Sequence, residues 1–360
     1  MISQSVFAVA AHSEELANQI LATGRNVLFC TDNGAFLLDI PTKKKIFVGD
    51  ENQCDFFNDL DLAEYREPKG LYKIFEYGSL ENTIVLSDRC NSSCIMCPYS
   101  DNHRKNAKPA DPGYIIDMIN YTMFEPEHMT LTGGEPTTIG NGIFDIMDCL
   151  KHKFPKTEFQ FLTNGRVFSD KSYFERFLSV IPEYICFGIP IYGNSPDTHD
   201  AITRANGSFV EAIRGIQNIM NADIAVELRI VVSKLNYLNL DNIARFICKY
   251  LHKAYVVNIV GLEMCGNAAK NRAEVWIDYP EMFTYAKSAI DILYNAGIDV
   301  GIYNFPLCAV DEKYRYLCKR SISSYKIVYG DKCDNCGLRP LCGGFFKTTF
   351  LLEKPEIKPV

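Results

Sequence analysis

The stretch "NTIVLSDRCNSSCIMCPYS", Asn82 to Ser100, decides the reading of the fold. Its first half is a short aliphatic and β-branched run that predicts a strand. Its second half sets Cys90, Cys94 and Cys97 directly behind that strand, spaced C-x3-C-x2-C. Downstream, strand, loop and helix repeat. "DPGYIIDMINYTM" has apolar residues at helical spacing, with Pro112 near its start. "HMTLTGG", "EFQFLTNG", "YICFGIPIYG", "IAVELRIVVSK" and "AYVVNIVGLE" predict further strands. "GIFDIMDCLKHKF", "KSYFERFLSVIP", "SFVEAIRGIQNIMNA", "LNLDNIARFICKYL" and "YPEMFTYAKSAIDILYNAG" predict the helices between and after them. Such alternation implies βαβ units on a parallel sheet. Six βα units fit between Asn82 and about Gly297, fewer than the eight of a closed barrel. The expected fold class is α/β, a partial (β/α)6 TIM-like barrel, with "DVGIYNFPLC" as a final strand.

Around this barrel, residues 1–80 read as a small β-rich module and 301–360 as a cysteine-rich extension, leaving 81–300 for the barrel. In the module, "RNVLFCTDNGAFLLDIP" predicts strand, Asn-Gly turn, strand, and "KKKIFVGD" a third strand. "CDFFNDLDLAEY" is expected to be a short helix, and "REPKG" the link to the barrel. The opening "MISQSVFAVAAHSEEL" has no basic region before its apolar patch, so it reads as folded sequence rather than a signal peptide. No apolar run reaches the roughly 18 residues of a membrane helix, and a cytoplasmic, membrane-free protein is expected. A net charge of -7 argues against general nucleic-acid binding.

Fourteen cysteines in a reducing compartment suggest metal or redox chemistry rather than disulfides. Cys30, Cys54, Cys149, Cys186, Cys248 and Cys265 are scattered and read as small buried hydrophobes. The group Cys90, Cys94 and Cys97 is one ligand short of a closed tetrahedral zinc site. It suits a zinc that recruits His103 or a distant thiol, or a [4Fe–4S] cluster with one iron left open. A second group, "CDNCGLRPLCGG", places Cys333, Cys336 and Cys342 as C-x2-C-x5-C, with Cys308 upstream and Cys318 as a spare or alternative ligand. Four thiolates make a closed site for zinc or for a second cluster.

Chemistry in parallel α/β folds sits at the carboxyl ends of the strands. The cysteine group, Gly133-Gly134-Glu135, Thr163-Asn164-Gly165, Gly188 to Gly193, Arg229 and Gly261 to Glu263 all fall at such positions. Here the sequence resembles the radical S-adenosylmethionine (SAM) superfamily, whose signature is CxxxCxxC, with Met96 in the apolar place before the last cysteine. "LTGGEPTT", Leu131 to Thr138, is similar to that family's GGE motif. The resemblance implies that Cys90, Cys94 and Cys97 hold a catalytic [4Fe–4S] cluster whose open iron is chelated by SAM. The reduced cluster then cleaves SAM to methionine and a 5′-deoxyadenosyl radical. It implies SAM contacts from Met96, Gly133, Gly134, Glu135, Asn164, Arg229 and Glu263. Glu135, or backbone carbonyls beside it, would accept from the SAM ammonium. Structural alternatives stand beside three of these. Asn164 suits an Asn-Gly turn, Arg229 a strand ion pair, and Glu263 a loop cap. His199 reads as structural.

The same resemblance implies an auxiliary [4Fe–4S] cluster on Cys308, Cys333, Cys336 and Cys342, in a twitch- or SPASM-like extension. Over residues 82–346, "GLEMCGNAAKNRAEVWIDYPEM", "IYNFPLC", "SISSYK" and "CDNCGLRPLCGGFF" resemble the His-Xaa-Ser system radical SAM maturase of the C type. Tyr325 departs from that pattern where a Trp is typical, and Met264-Cys265 where Pro or Thr is common. The implied partners are a small precursor peptide or protein as substrate and a one-electron donor such as flavodoxin or ferredoxin. Residues 1–80 are expected to bind the precursor by strand addition, or to serve as a lid or barrel plug. Other readings are a radical SAM enzyme acting on a small molecule or RNA, and a non-enzymatic zinc-binding interaction protein.

Overall fold

The computed structural model describes residues 5–39, 44–67, 70–107 and 110–360. Ile40, Pro41, Lys43, Pro68 and Lys69, parts of the predicted module elements, lie outside the described residues.

The first module is one curled sheet of β1 (Ser5–Ala11), β2 (Val27–Thr31), β3 (Gly34–Asp39), β4 (Lys44–Gly49), β5 (Leu62–Arg66) and β6 (Gly70–Phe75). The strand order is β4-β3-β2-β1-β5-β6. Among the described residues of the module, only β1 and β2 pair in parallel, because the helix Glu14–Ala22 crosses over between them. Ser13 starts that helix by accepting from the Leu16 amide at 3.2 Å. The Asn-Gly hairpin and the third strand stand as expected.

Two expectations for the module are corrected. "CDFFNDLDLAEY" is not a helix. Helix covers only Glu51–Cys54, and Leu62–Arg66 is strand β5, paired with β1. The reason is Asp61, which is fully buried. Its carboxylate accepts from the amides of Asn58 and Tyr77, each at 2.8 Å, and pairs with Lys73 at 2.9 Å. Short acidic side chains that bond nearby backbone compete with helix. "REPKG" is likewise no interdomain link, since Arg66 and Gly70 are the facing ends of the β5–β6 hairpin. The connection is residues 76–82, held by Asn82. Its amide group donates to the carbonyls of Glu76 (2.9 Å) and Ser79 (3.2 Å), and its side-chain oxygen accepts from the Glu76 amide at 2.9 Å.

The second sheet holds eight parallel strands: β7 (Thr83–Ser87), β8 (His128–Gly133), β9 (Glu158–Leu162), β10 (Ile185–Pro190), β11 (Ala225–Val231), β12 (Val256–Val260), β13 (Val300–Tyr303) and β14 (Cys318–Lys319). They lie side by side in sequence order, with β7 and β14 at the two ends. The helices Pro112–Tyr121, Gly142–Lys153, Lys171–Val180, Ser208–Asn221, Leu240–Tyr250 and Tyr279–Asn295 follow the first six strands in turn. The predicted (β/α)6 arrangement is therefore present. β13 and β14 prolong the same sheet, so the cysteine-rich segment begins as part of it. A short antiparallel pair, β15 (Ile327–Val328) and β16 (Phe345–Phe346), follows.

Register explains the alternation in these strands. Leu131, Phe161, Phe187, Leu228 and Ile259 are fully buried on the helix-facing side. The opposite, inward face carries Thr132, Gln160, Glu227, Arg229 and Asn258. A parallel barrel strand usually reads as continuously apolar. The polar half of the alternation here gives the barrel interior a hydrogen-bonded lining. Glu227 holds that interior together, accepting from Gln160 and from Asn258 (2.7 Å) and pairing with Arg229 (3.0 Å).

The module docks on the helix Pro112–Tyr121. The Tyr114 hydroxyl donates to buried Glu64 at 2.8 Å, Arg25 donates to the Tyr121 carbonyl at 2.9 Å, and Phe7 packs on both tyrosines. Among the described residues, no helix is long and apolar enough to cross a membrane.

Candidate functional site

At the carboxyl ends of β7 to β13 lies a cavity of about 380 Å³, within the range of small-molecule sites. Cys90, Cys94 and Cys97 line it together with Met96, Gly133, Gly134, Asn164, Arg229 and Glu263. Among the described residues, none of the N-terminal module does. The three thiols therefore converge on one space, as their spacing suggested. Burial raises all three, and pushes Cys94 up to about 12, with the Cys97 and Cys90 thiols adding to the effect there. Tyr192 faces the same group. Burial first, and then Cys94, Cys97 and Cys90, hold its phenol well above its ordinary value. The Cys90 sulfur accepts from the Ser92 amide at 3.4 Å.

The cysteine loop has no regular secondary structure between Asp88 and Ser100, so tertiary bonds set its shape. The amides of Ser93 and Ile95 donate to the carbonyls of Thr203 (3.0 Å) and Ile202 (2.9 Å). Arg166 donates to the Asn91 carbonyl (2.8 Å) and the Ser92 hydroxyl (3.0 Å) while pairing with Glu211. Arg104, 7% exposed, donates to the Ser92 carbonyl at 3.1 Å and pairs with Asp101. Asn267 and Asn271 bond the carbonyls of Cys94, Ile95 and Cys97. Sequence reasoning assigned none of these roles. Two signals were available: Arg166 ends "FLTNGR", and both asparagines stand in "CGNAAKN".

Gly133 and Gly134 pack directly on this loop. A Cβ on Gly133 would lie 2.1 Å from the Ser87 carbonyl oxygen, and one on Gly134 would lie 2.6 Å from that of Arg89. Only glycine allows so close an approach. Glu135 differs from its two neighbours, because its side chain is fully buried and not among the cavity lining. Its carboxylate accepts from the hydroxyls of Thr137 and Thr163 (both 2.8 Å) and from the amides of Asn164 (2.7 Å) and Thr137 (3.2 Å). These four bonds tie the end of β8 to the end of β9 and occupy the oxygens expected to meet a ligand.

Asn164 reaches the cavity and is also a turn residue, donating to Asn91 at 2.6 Å and accepting from the Arg166 amide at 3.1 Å. Arg229 lines the cavity while paired with Glu227, and Glu263 does so while paired with Lys326 at 3.2 Å. For both, the ion pair and the cavity position coexist. His103 stacks on Tyr99 at 5.2 Å and is not among the cavity lining. His199 is buried between Tyr192 and Phe209. Burial lowers its imidazole to about 4, and its Nδ1 faces the Tyr192 amide at 3.4 Å. Its folded value lies below the unfolded 6.5, so the stability it brings is complete above pH 6.5 and lost as pH falls from there toward 4. The loss is on the order of 3 kcal/mol. Urea titrations at pH 7.5 and pH 5 should show about 2 kcal/mol of this fall in the natural protein and a smaller one in His199→Phe.

The second cysteine group also assembles. Cys308, Cys333, Cys336 and Cys342 line one hollow of about 20 Å³, covered by Ile357, Lys358 and Pro359. The Cys342 sulfur accepts from the amides of Leu307 and Gly344, each at 3.4 Å. Cys318 is not among that lining, though it lies near enough for Cys342 to add to the rise that burial causes in its thiol. One strand divides the two cysteine sites: on β16, Phe345 lines the second hollow and Phe346 the first cavity. Of the six scattered cysteines, only Cys30 and Cys54 are fully buried. Cys149, Cys186, Cys248 and Cys265 are only partly buried, Cys149 and Cys248 packing against the core, so the reading as small buried hydrophobes holds in full for Cys30 and Cys54 alone. Among the described residues, no three Cys, His, Asp or Glu side chains close on a position for a single metal ion.

The donor sets fit soft metal chemistry. The first cavity offers three thiols and space beside them, and the second offers four thiols and almost none.

Residues 84–247 match the model of the Radical SAM superfamily. No curated protein matches the chain. Among solved structures, Streptococcus suis SuiB bound to precursor peptide SuiA is 15% identical, with a TM-score of 0.49 over 62% of this chain and 48% of that one. The same protein bound to S-adenosylmethionine is 13% identical, with a TM-score of 0.49 over 71% and 55%. AnSMEcpe with bound AdoMet and Cp18Cys peptide is 18% identical, with a TM-score of 0.47 over 61% and 62%. The chain spans about half of the SuiB length and about three fifths of anSMEcpe.

Proposed function

We propose, from the match of residues 84–247 to the Radical SAM superfamily model, that the chain is a radical SAM enzyme that modifies a peptide or small protein. The observation that carries the chemistry is the convergence of Cys90, Cys94 and Cys97 on a cavity with room beside them. These thiols would hold a [4Fe–4S] cluster, one to each of three irons. Such a cluster, with SAM on its fourth iron, supplies reductive cleavage of SAM to methionine and a 5′-deoxyadenosyl radical. The chain's own residues position the reactants and exclude water. Gly133 and Gly134 would present bare backbone to the SAM ammonium, and Glu135 would brace that backbone through its bonds to Thr137, Thr163 and Asn164. Arg229, held by Glu227, offers a guanidinium for a carboxylate. Met96 and Phe346 supply apolar wall, and Asn164 and Glu263 supply polar contacts.

The peptide or protein substrate rests on the motif run from "GLEMCGNAAKN" to "CDNCGLRPLCGG" and its likeness to the His-Xaa-Ser maturases. Residues 1–80 would receive the precursor at the β4 edge, where Ile46 and Phe47 are exposed. Cys308, Cys333, Cys336 and Cys342 would hold an auxiliary cluster, and flavodoxin or ferredoxin would deliver the electron. The test is anaerobic co-expression with any small open reading frame found beside the gene, followed by mass spectrometry. A mass change in that peptide supports the reading, and an unchanged peptide with active SAM cleavage favours a small-molecule or RNA substrate. Colourless protein with zinc and no iron sinks the enzyme reading.

Cys342→Ala is expected to separate the two sites. Iron should fall from about eight to about four per chain, SAM cleavage should persist at least in part, and peptide modification should be lost. Iron analysis beside 5′-deoxyadenosine and peptide assays checks it.

A further inference from the structure

We infer that Asn267 and Asn271 are positioning residues that clasp the catalytic cysteine loop and set the properties of the cluster proposed there. The inference rests on the reading that Cys90, Cys94 and Cys97 hold that cluster. Asn267 lies in the short helix Gly266–Lys270 after β12 and Asn271 caps its end, both far from the loop in sequence. The Asn267 amide donates to the Cys97 carbonyl at 2.9 Å, and its side-chain nitrogen donates to the Cys94 carbonyl at 3.1 Å. The same side chain exchanges bonds with Asp101, donating to its carboxylate at 3.0 Å and accepting from its amide at 3.1 Å. The Asn271 side chain donates to the Ile95 carbonyl at 2.9 Å and braces the helix through the Asn267 carbonyl at 3.0 Å. Three carbonyls within four residues, two of them on cysteines, are thus held from one side.

Several features make this more than a packing contact. Asn267 is 1% exposed, so its bonds meet no competition from water. Neither asparagine lines the cavity, so neither competes with the thiols for a ligand. Gly266, at φ +53°, brings this helix into contact with the loop. A Cβ there would lie 2.1 Å from the Pro98 carbonyl oxygen. The loop between Cys90 and Cys97 has no helix or strand of its own, and the direction of each Cα–Cβ bond follows from its peptide planes. Groups that orient metal ligands from behind typically change affinity or activity by about 10–100-fold when removed. The run "GNAAKN" therefore has a physical role: it reads the backbone of the cysteine loop.

The test uses the anaerobically reconstituted full-length protein and three variants, Asn267→Ala, Asn267→Asp and Asn271→Ala. Asn267→Asp keeps the volume and removes the donor to Cys94. The readouts are iron release to a chelator, the electron paramagnetic resonance signal of the reduced cluster with and without SAM, and the melting temperature. A SAM-sensitive signal reports the cluster with the open iron, so the second site does not confuse it. The expected result is release from that cluster roughly 10–100-fold faster and an altered SAM-dependent signal in every variant that folds. Should Asn267→Asp fail to fold, Asn271→Ala carries the test, since it loses one bond to the loop from a partly exposed position. Variants that melt lower yet keep the natural signal and release rate would overturn the clasp and leave the enzyme reading intact. A natural protein with no SAM-sensitive signal would overturn the enzyme reading and the clasp with it.

Discussion

Cys94→Ala is expected to abolish 5′-deoxyadenosine formation, to the level of buffer without protein, under reducing and anaerobic conditions. Cys94 is the most enclosed of the three thiols, pushed up to about 12 by burial and by its two neighbours. Its carbonyl is also the one Asn267 holds. A cluster that keeps one iron open requires one thiolate on each of the others, so two remaining cysteines leave a second iron unliganded. Iron content should fall from about eight to about four per chain, because Cys308, Cys333, Cys336 and Cys342 are untouched. The side chain removed is small and borders a cavity, so the fold should lose only about 1–2 kcal/mol, which a urea titration can verify. A Cys94→Ala protein that still forms 5′-deoxyadenosine would show that the three thiols are not the cleavage site.

The barrel was legible because each strand–helix unit carries its own signals. Pro112 marks a helix start, and Thr163-Asn164-Gly165 ends a strand in a left-handed turn at Gly165. The place of Cys90, Cys94 and Cys97 was legible because strand ends in a parallel sheet share one edge, whereas Cys333, Cys336 and Cys342 lie in loops around a short antiparallel pair and were grouped by their spacing alone. What the sequence hid depends on long-range partners. Leu62–Arg66 is a strand because β1 lies beside it and Asp61 spends its carboxylate on a turn, and neither fact shows in a local window. The partial exposure of Cys186 follows from its place on the inward face of β10, which register decides. Arg104, Arg166, Asn267 and Asn271 act on backbone atoms of the cysteine loop. The runs "FLTNGR" and "CGNAAKN" mark Arg166, Asn267 and Asn271 as polar residues in notable places, but backbone acceptors carry no sequence signature, so their partners surface only when the chain is folded.

Glu135→Ala is expected to destabilise the protein by about 2–6 kcal/mol, from the two buried amides it leaves unpaired, the second large effect. The substitution leaves the amides of Asn164 and Thr137 and the hydroxyls of Thr137 and Thr163 without their acceptor, inside a fully buried site. Unpaired buried donors each cost roughly 1–3 kcal/mol, partly recovered when hydroxyls rotate. Burial also raises the Glu135 carboxyl above its ordinary 4.5, against the bonds from Asn164, Thr137 and Thr163. A raised acid binds its proton more tightly in the folded chain. Its contribution is therefore complete below pH 4.5 and declines as pH rises through the folded value. Glu135→Gln removes that decline and retains one acceptor oxygen, so it should lose less stability than Glu135→Ala at neutral pH. The pair of variants also separates brace from ligand. As a brace, Glu135 gives variants that unfold at lower urea while the surviving folded fraction keeps its KM for SAM. As a direct partner of the SAM ammonium, it would give Glu135→Gln a raised KM at nearly unchanged stability. Its four bonds within the wall favour the first outcome, and denaturant titration beside SAM kinetics on the same protein decides between them.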